Sequence, residues 1–399
     1  MEQQQALSGI VVLDLTRVIA GPYTAYILSD FGADVIKVEM PGKGDDSRSY
    51  GPFINGESLY YANMNRNKRG ITLNLKSEKG KEIFKELVKK ADVVLENYRP
   101  GVMDRLGLGY DVLKEINPRI IYGSVSGFGT YGPYKDRPGY DIISQSSGGL
   151  LSITGSEDGE PTRSGNAIGD ILGGTNLVIG VMMALYARTQ TGKGQRVDIS
   201  LVDSVVSSLE NAFVRYQASG KLPRRTGNTN LALAPYDTFH AADGMVVIAC
   251  GNQKLYEIFC NEVIRMPWLI EDERFLNVPL RLENNKVLKT YIEEWTTMHN
   301  VAEIVDILLA HGIPASPVNN VKQLMEDEHI AGAREMFVKV QHPVIGEMTV
   351  NGDPVKLLDM MPRIERPAPT LGQHNAEILQ GMLGISDEEL AQLEEEHII

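Results

Sequence analysis

The stretch Gly9-Ile10-Val11-Val12-Leu13-Asp14-Leu15, closed by Thr16-Arg17-Val18-Ile19-Ala20-Gly21-Pro22, decides the fold. A short β-branched run that ends on small and polar residues and passes into a helical pattern, Pro22–Phe31, is the first half of a βαβ unit. Pro22 suits the opening turn of a helix, where its missing N–H needs no partner. The unit closes with a second strand at Asp34–Glu39. Outward from it, strands are expected at Ile71–Leu75, Asp92–Glu96, Arg119–Val125 and Arg196–Ser200, with helices at Ser77–Lys90, where Ser77 is the N-cap, and Gly101–Ile116. This alternation predicts an α/β fold, a Rossmann-like and mainly parallel sheet. Such sheets bind ligands outside the carboxyl ends of their strands, so the loops after Leu15, Glu39, Leu75, Glu96 and Val125 are where a ligand is expected. No G-x-G-x-x-G fingerprint opens the first βα turn and no P-loop is present, which argues against NAD and ATP.

Residues Thr130–Arg163 are rich in Gly, Pro, Tyr and Ser and read as ordered loops, most helical at Tyr140–Gly149. Then comes Ser164-Gly165-Asn166-Ala167-Ile168-Gly169-Asp170-Ile171-Leu172-Gly173-Gly174, at the head of an apolar helix Ile171–Arg188. One carboxylate, Asp170, stands among glycines whose missing Cβ atoms would let a bulky ligand approach the backbone. By position alone Asp170 reads as a helix cap or as a nucleophile. A second long helix is expected from Leu201 to about Ser219.

At Lys221–Asn230 the composition turns basic and polar, marking a crossover. A smaller α+β unit comes next, with a hairpin of Asp237–Ala241 and Gly244–Cys250 and helices at Gln253–Val263 and Val301–His311. The expected organisation is therefore residues 1–220 as the large domain, 221–330 as the small one, and 331–399 as a C-terminal segment returning to the large domain. That segment carries a strand Glu347–Val350, an extended run Pro362–Pro369 and an acidic helix Asp387–Glu396 capped by Ser386.

With 399 residues, 43% of them hydrophobic, the chain can bury substantial cores. A net charge of −13, with cations interspersed among acids, argues against nucleic acid as a partner. No run is read as a membrane span and residues 1–25 do not read as a signal peptide, so no membrane partner and a cytoplasmic location are expected. Two cysteines, Cys250 and Cys260, lack disulfide or zinc spacing, and no metal is expected. All seven histidines lie at or beyond His240, so no Ser-His-Asp site can be built within the N-terminal half.

Certain motifs go beyond pattern: Leu7–Leu15, Ala20-Gly21-Pro22, Gly32–Glu39, Asn67-Lys68-Arg69, Asp92–Gly101, Gly169-Asp170, Thr191–Gln195 and Leu371-Gly372-Gln373-His374. With all of these in order, the sequence resembles the class III CoA-transferases, a group that includes formyl-CoA:oxalate and carnitine CoA-transferases, and more distantly the α-methylacyl-CoA racemases. The resemblance implies that Asp170 is the nucleophile that carries first the acyl group and then CoA. It places Val18, Ala20, Leu73, Lys76, Asn97, Tyr98 and Arg105 along a CoA groove, with Lys76 and Arg105 on phosphate. Met40 stands where some members have Arg, and Lys135 or Arg137 is expected to compensate. Tyr140 matches a Tyr of the transferase site, and Gln145 is expected to donate a hydrogen bond to the acyl intermediate.

The racemases use a His before an Asp where this chain has Tyr140-Asp141, so racemisation by α-proton exchange is the weaker alternative. The resemblance further implies acyl-CoA and carboxylic acid substrates, with CoA thioester as a co-substrate and no permanently bound cofactor, and an interlocked, ring-like homodimer. A flap of consecutive glycines found in oxalate-specific members is absent, Gly227-Asn228 standing nearer the pattern of other members. Tyr50, Tyr140 and Asn228–Tyr236 are expected to shape the pocket for the acid.

Overall fold

A computed structural model describes residues 4–399. Its main sheet contains strands β1 (Val11–Asp14), β2 (Asp34–Glu39), β3 (Arg69–Thr72), β4 (Val93–Glu96), β5 (Ile121–Ser126) and β6 (Arg196–Ser200). They lie in the order β3-β2-β1-β4-β5-β6 and every neighbouring pair is parallel. This order reverses direction between β1 and β4, which makes the loops after those two strands the topological switch point.

Successive residues serve opposite faces. Leu13, Ile36 and Val94 pack with Phe84 and Leu87 of helix α2 (Glu78–Val88), whereas Val12, Val35 and Val93 pack with helix α1 (Ala20–Asp30). Covering both faces is what an all-parallel sheet requires, and it explains why the strands are nearly continuous Val, Ile and Leu. Ser77 caps α2 by accepting the Gly80 N–H at 2.9 Å, as its position predicts.

Two expected helices are broken. The Gly101–Ile116 run forms a single turn, Val102–Arg105, and a separate helix α3 (Tyr110–Ile116), because Gly107 between them takes φ +71°. The run from Leu201 likewise splits into α6 (Leu201–Ser207) and Ala212–Ser219, with Glu210 at φ +53° between them. Between β5 and β6 lie helices α4 (Asp141–Ser147) and α5 (Ile168–Thr191).

By length and apolarity α5 could cross a bilayer, contrary to the expectation that no run qualifies. Here it is a core helix, with Leu177, Val181, Ala184 and Leu185 buried in the same cluster as α1 and β5. Its glycines serve packing: a Cβ on Gly174 would stand 2.6 Å from the Ala20 carbonyl oxygen, and one on Gly173 2.5 Å from Leu201. The ligand-approach reading of Gly173 and Gly174 is thereby corrected.

The chain divides into two compact units, one of Met1–Leu150, Ser164–Val214 and Glu328–Ile399, the other of Leu151–Arg163 and Arg215–Asp327. The second unit is therefore discontinuous. Residues 151–163 fall within it although they were expected in the first domain, and the other boundaries differ from those expected at 220 and 330. Local bonds account for the 151–163 insertion, since Arg225 donates to the Gly159 carbonyl at 2.5 Å and Lys286 pairs with Glu157 at 2.8 Å. This unit has an antiparallel sheet of β7 (Tyr236–His240), β8 (Met245–Ala249) and β9 (Ala315–Pro317), its core built on Phe239, Ile248, Phe259 and Leu308.

In the first unit a hairpin of β10 (Phe337–His342) and β11 (Gly346–Asn351) precedes the extended Pro-rich run. Beyond it, helices α7 (Asn375–Leu383) and α8 (Asp387–Glu395) place Ile378, Leu379, Leu393, Ile398 and Ile399 in the core with Phe84 and Leu87. Ser386 caps α8 on the Glu389 N–H. Leu379 is fully buried. Leu379→Ala is expected to lower the unfolding free energy by about 2–5 kcal/mol through lost transfer energy and the cavity it leaves. Urea unfolding checks this, and an unchanged midpoint would mean the tail does not brace the sheet.

Candidate active site

The loops at the switch point are tied down from several directions. The side-chain amide of Asn97, just after β4, donates to the Arg17 carbonyl at 2.7 Å while its oxygen accepts the Arg17 N–H at 2.8 Å. Asn97 lines the groove, but both ends of its amide are spent on the β1 loop. The next residue in that loop, Val18, has φ +69°, a left-handed conformation that a β-branched side chain disfavours. Its N–H donates to the carboxylate of Asp45 at 3.2 Å and 3.4 Å.

Asp45 in turn pairs with Lys37 at 2.8 Å, and both side chains are wholly buried. Lys37 also donates to the Thr16 carbonyl. Burial alone would raise the Asp45 carboxyl, but the Lys37 ammonium and the Ser47 hydrogen bonds outweigh it and hold it near 2. Alongside, Lys68 bonds Asp14 at 2.8 Å, and burial brings the Lys68 ammonium down to about 8. Such buried pairs fix geometry more than they add stability, because desolvation offsets their attraction.

A groove runs over these loops in two adjoining parts. One, of about 410 Å³, is lined by Val18, Ile19, Ala20, Asn97, Ser126, Arg137, Tyr140 and Asp170 among others. The second, of about 440 Å³, is lined by Met40, Lys43, Leu73, Leu75 and Lys76 among others. Arg17, Tyr98 and Arg99 border both parts, and the Arg17 guanidinium lies over the Tyr98 ring at 4.9 Å. Among the described residues, no histidine lines either part.

Of the residues singled out in the sequence, the groove gathers Val18, Ala20, Leu73, Lys76, Asn97, Tyr98, Tyr140 and Asp170. Arg105 and Lys135 are not in its lining. Arg105 is exposed on the short Val102–Arg105 turn, with its guanidinium close over Gly101, since the helix that would have carried it onward ends there. Lys135 is an exposed residue of the Tyr131–Arg137 loop, where Arg137 reaches the groove instead. The Arg137 guanidinium stacks on Tyr134 at 3.4 Å from the ring centre.

Asp170 is the third residue of α5, half-buried, on a helix whose N-cap Ala167 supplies no side-chain cap. Asp141 serves instead: its carboxylate accepts the Gly169 N–H at 2.8 Å. Space for this is tight, since a Cβ on Gly169 would stand 2.2 Å from the Ser144 hydroxyl and 3.1 Å from Asp141. Burial, with the charge of Asp141 added, pushes the Asp170 carboxyl up to about 7. A helix N-terminus favours the ionised form, but here desolvation wins.

Gln145 is fully buried, donating to Asp141 at 2.7 Å and accepting the Ser164 N–H at 3.0 Å. Its amide thus braces Asp141 and the approach to α5. Tyr140 is 77% exposed, and the residue before it, Gly139, packs closely on Gly127, where a Cβ would stand 2.6 Å from the Gly139 Cα.

Tyr60 was not foreseen. It sits on the Leu59–Met64 helix, and burial together with the charge of Asp170 raises its hydroxyl to about 12. Tyr50 meets it edge-on, ring centres 5.8 Å apart. No local motif marks Tyr60; helical geometry turns it away from Tyr61, whose hydroxyl bonds Glu39 at 3.1 Å.

The model of CoA-transferase family III matches residues 7–375. The chain belongs to that family. This family III CoA-transferase is 43% identical to the acetyl-CoA:oxalate CoA-transferase of Acetobacter aceti, over 92% of this chain and 93% of the relative. It is 36% identical to the human succinyl-CoA:glutarate CoA-transferase, over 98% of this chain and 90% of that one. A CaiB/BaiF family protein from Brucella suis superposes with a TM-score of 0.85 at 38% identity, covering 95% of this transferase and all of the other chain. The expected family, α/β fold and transferase activity are thereby shown.

Proposed function

We propose that this transferase moves CoA from an acyl-CoA thioester to a small dicarboxylic acid through covalent intermediates on Asp170. The observation that carries this reading is the Asp170 carboxylate in the wall of a groove at the switch point of the sheet. The carboxylate attacks the thioester carbonyl; the C–S bond breaks, leaving a mixed anhydride and CoA thiolate. The thiolate attacks the Asp170 carbonyl of the anhydride and releases the first acid as its carboxylate. The acceptor carboxylate then attacks the aspartyl-CoA thioester, and the thiolate returns to the new acyl group. Thioester energy is conserved throughout, so no ATP is consumed.

CoA lies along the groove with its thioester beside Asp170 and its phosphates toward Lys43 and Lys76. The named relatives act on oxalate and glutarate, both dicarboxylates, and Arg137 in the same part of the groove as Asp170 suits a second carboxylate. Incubation with acyl-CoA and hydroxylamine, followed by mass spectrometry, should find a hydroxamate at Asp170. An unmodified Asp170 under turnover would refute the covalent route, and a panel of mono- and dicarboxylic acceptors tests the substrate class.

The enzyme works as a cytoplasmic homodimer on this reading, supported by the apolar residues that α5 leaves open, Met183 at 67% and Tyr186 at 69% exposure. Light scattering tests the dimer. Met40 is 41% exposed at the CoA end, so Met40→Arg should lower the KM for acyl-CoA about three- to tenfold by adding a phosphate contact. A KM that does not move would place the phosphates elsewhere.

A further inference from the structure

Val18 is a β-branched residue in the left-handed region, at the wall of the groove and two residues before α1. Backbone held in such a conformation persists only where its surroundings over-determine it, and such positions cluster at functional sites. What holds it here is one buried carboxylate. Asp45 receives the Val18 N–H, the Lys37 ammonium at 2.8 Å, the Ser47 N–H at 2.9 Å and the Ser47 hydroxyl at 2.8 Å. Its own N–H is taken by Glu39 at 2.8 Å, and Glu39 is gripped by Arg48 at 2.7 Å. Asp45 therefore joins the loop after β2 to the loop after β1, one from each part of the groove.

The residues immediately beyond Val18 bear the consequence. Ile19 and Ala20 line the groove with Asp170, and Ala20 opens α1, which has no side-chain cap. Were the Val18 peptide to relax to negative φ, the chain would leave β1 in another direction and this wall would move. Arg17 is fixed independently by Asn97, so the turn must be made at Val18 itself.

We propose that Asp45 is a positioning residue for the acyl-CoA: its carboxylate holds the Val18 peptide in the left-handed turn that sets the Ile19–Ala20 wall of the groove that Asp170 also lines. It touches no reacting atom and acts through the Val18 backbone. The proposal rests on the reading that CoA binds this groove.

The test is a coupling measurement on the full chain, read as the Kd for CoA by calorimetry with the melting temperature in parallel. Asp45→Asn should weaken CoA binding tenfold or more when residue 18 is Val. In the Val18→Gly background, where positive φ carries no side-chain penalty, the same substitution should weaken it less than threefold further. Equal losses in both backgrounds, or a Kd unmoved by Asp45→Asn despite a lower melting temperature, overturns the proposal and leaves Asp45 a structural ion-pair member.

Should Asp45→Asn fail to fold, Val18→Pro and Val18→Gly decide, because proline can neither adopt φ +69° nor donate to Asp45. Proline binding CoA at least tenfold more weakly than glycine supports the proposal, and equal affinities overturn it. A wild-type protein that binds no CoA at all refutes the functional reading instead.

Discussion

Replacing Asp170 with Ala or Asn should abolish CoA transfer, lowering kcat by about 10⁴-fold or more, since a covalent carrier has no substitute in the groove. The side chain is half-buried at the third position of α5, and the helix has its external cap in Asp141, so the fold should survive the change. Two readouts separate chemistry from structure. Steady-state exchange between acyl-CoA and a labelled acid should fall to background, while CoA affinity should stay within a few-fold because the groove is otherwise intact. Asp170→Asn with more than about one per cent of wild-type kcat would show that the carboxylate is not the carrier.

Transfer should also be sharply pH-dependent in a range where an ordinary aspartate would be silent. The attacking species is the carboxylate anion, and with the Asp170 carboxyl at about 7, half of it is protonated near neutrality. Activity should then approach a tenfold fall per pH unit below the midpoint, roughly 50-fold in all between pH 7 and pH 5. Asp141→Asn removes the adjacent negative charge and should move the midpoint downward while leaving the Gly169 N–H an amide oxygen to bond. Since the folded-state value lies above the ordinary 3.8, ionising Asp170 works against folding, and its contribution to stability declines as pH rises from about 4 to about 7. A profile flat down to pH 5 would mean that Asp170 stays ionised, with solvent or substrate reaching it more freely than its burial implies.

The sheet was legible because parallel strands covered on both faces are written as unbroken apolar runs, and Val93-Val94-Leu95 or Val11-Val12-Leu13 admits little else. Helix breaks were not, because Glu210 and Gly107 look ordinary until their φ values are known. Nor was the second unit's use of residues 151–163, which depends on bonds to Arg225 and Lys286.

Within the site, Asp170 and Tyr140 stood out through motif and loop position. The contacts that govern them did not: Asp141 reaches Gly169 across 28 residues, Gln145 reaches Ser164 across 19, and Asn97 reaches Arg17 across 80. Asn97 holds the Arg17 backbone, and Gln145 ties Asp141 to the Ser164 backbone. No periodicity encodes pairs of that kind.

The return of the tail to the main sheet sets a timetable for biosynthesis. Ile398 and Ile399 lie in the same core as Leu13 and Phe84, so the first unit cannot close its core until these two residues have left the ribosome. The second unit's main stretch, Arg215–Asp327, emerges earlier and can fold while the sheet waits incomplete. During that interval the nascent sheet exposes an apolar face, a natural client for chaperones. A premature stop codon before α8 would leave every proposed catalytic residue in place and still yield a product destined for proteolysis.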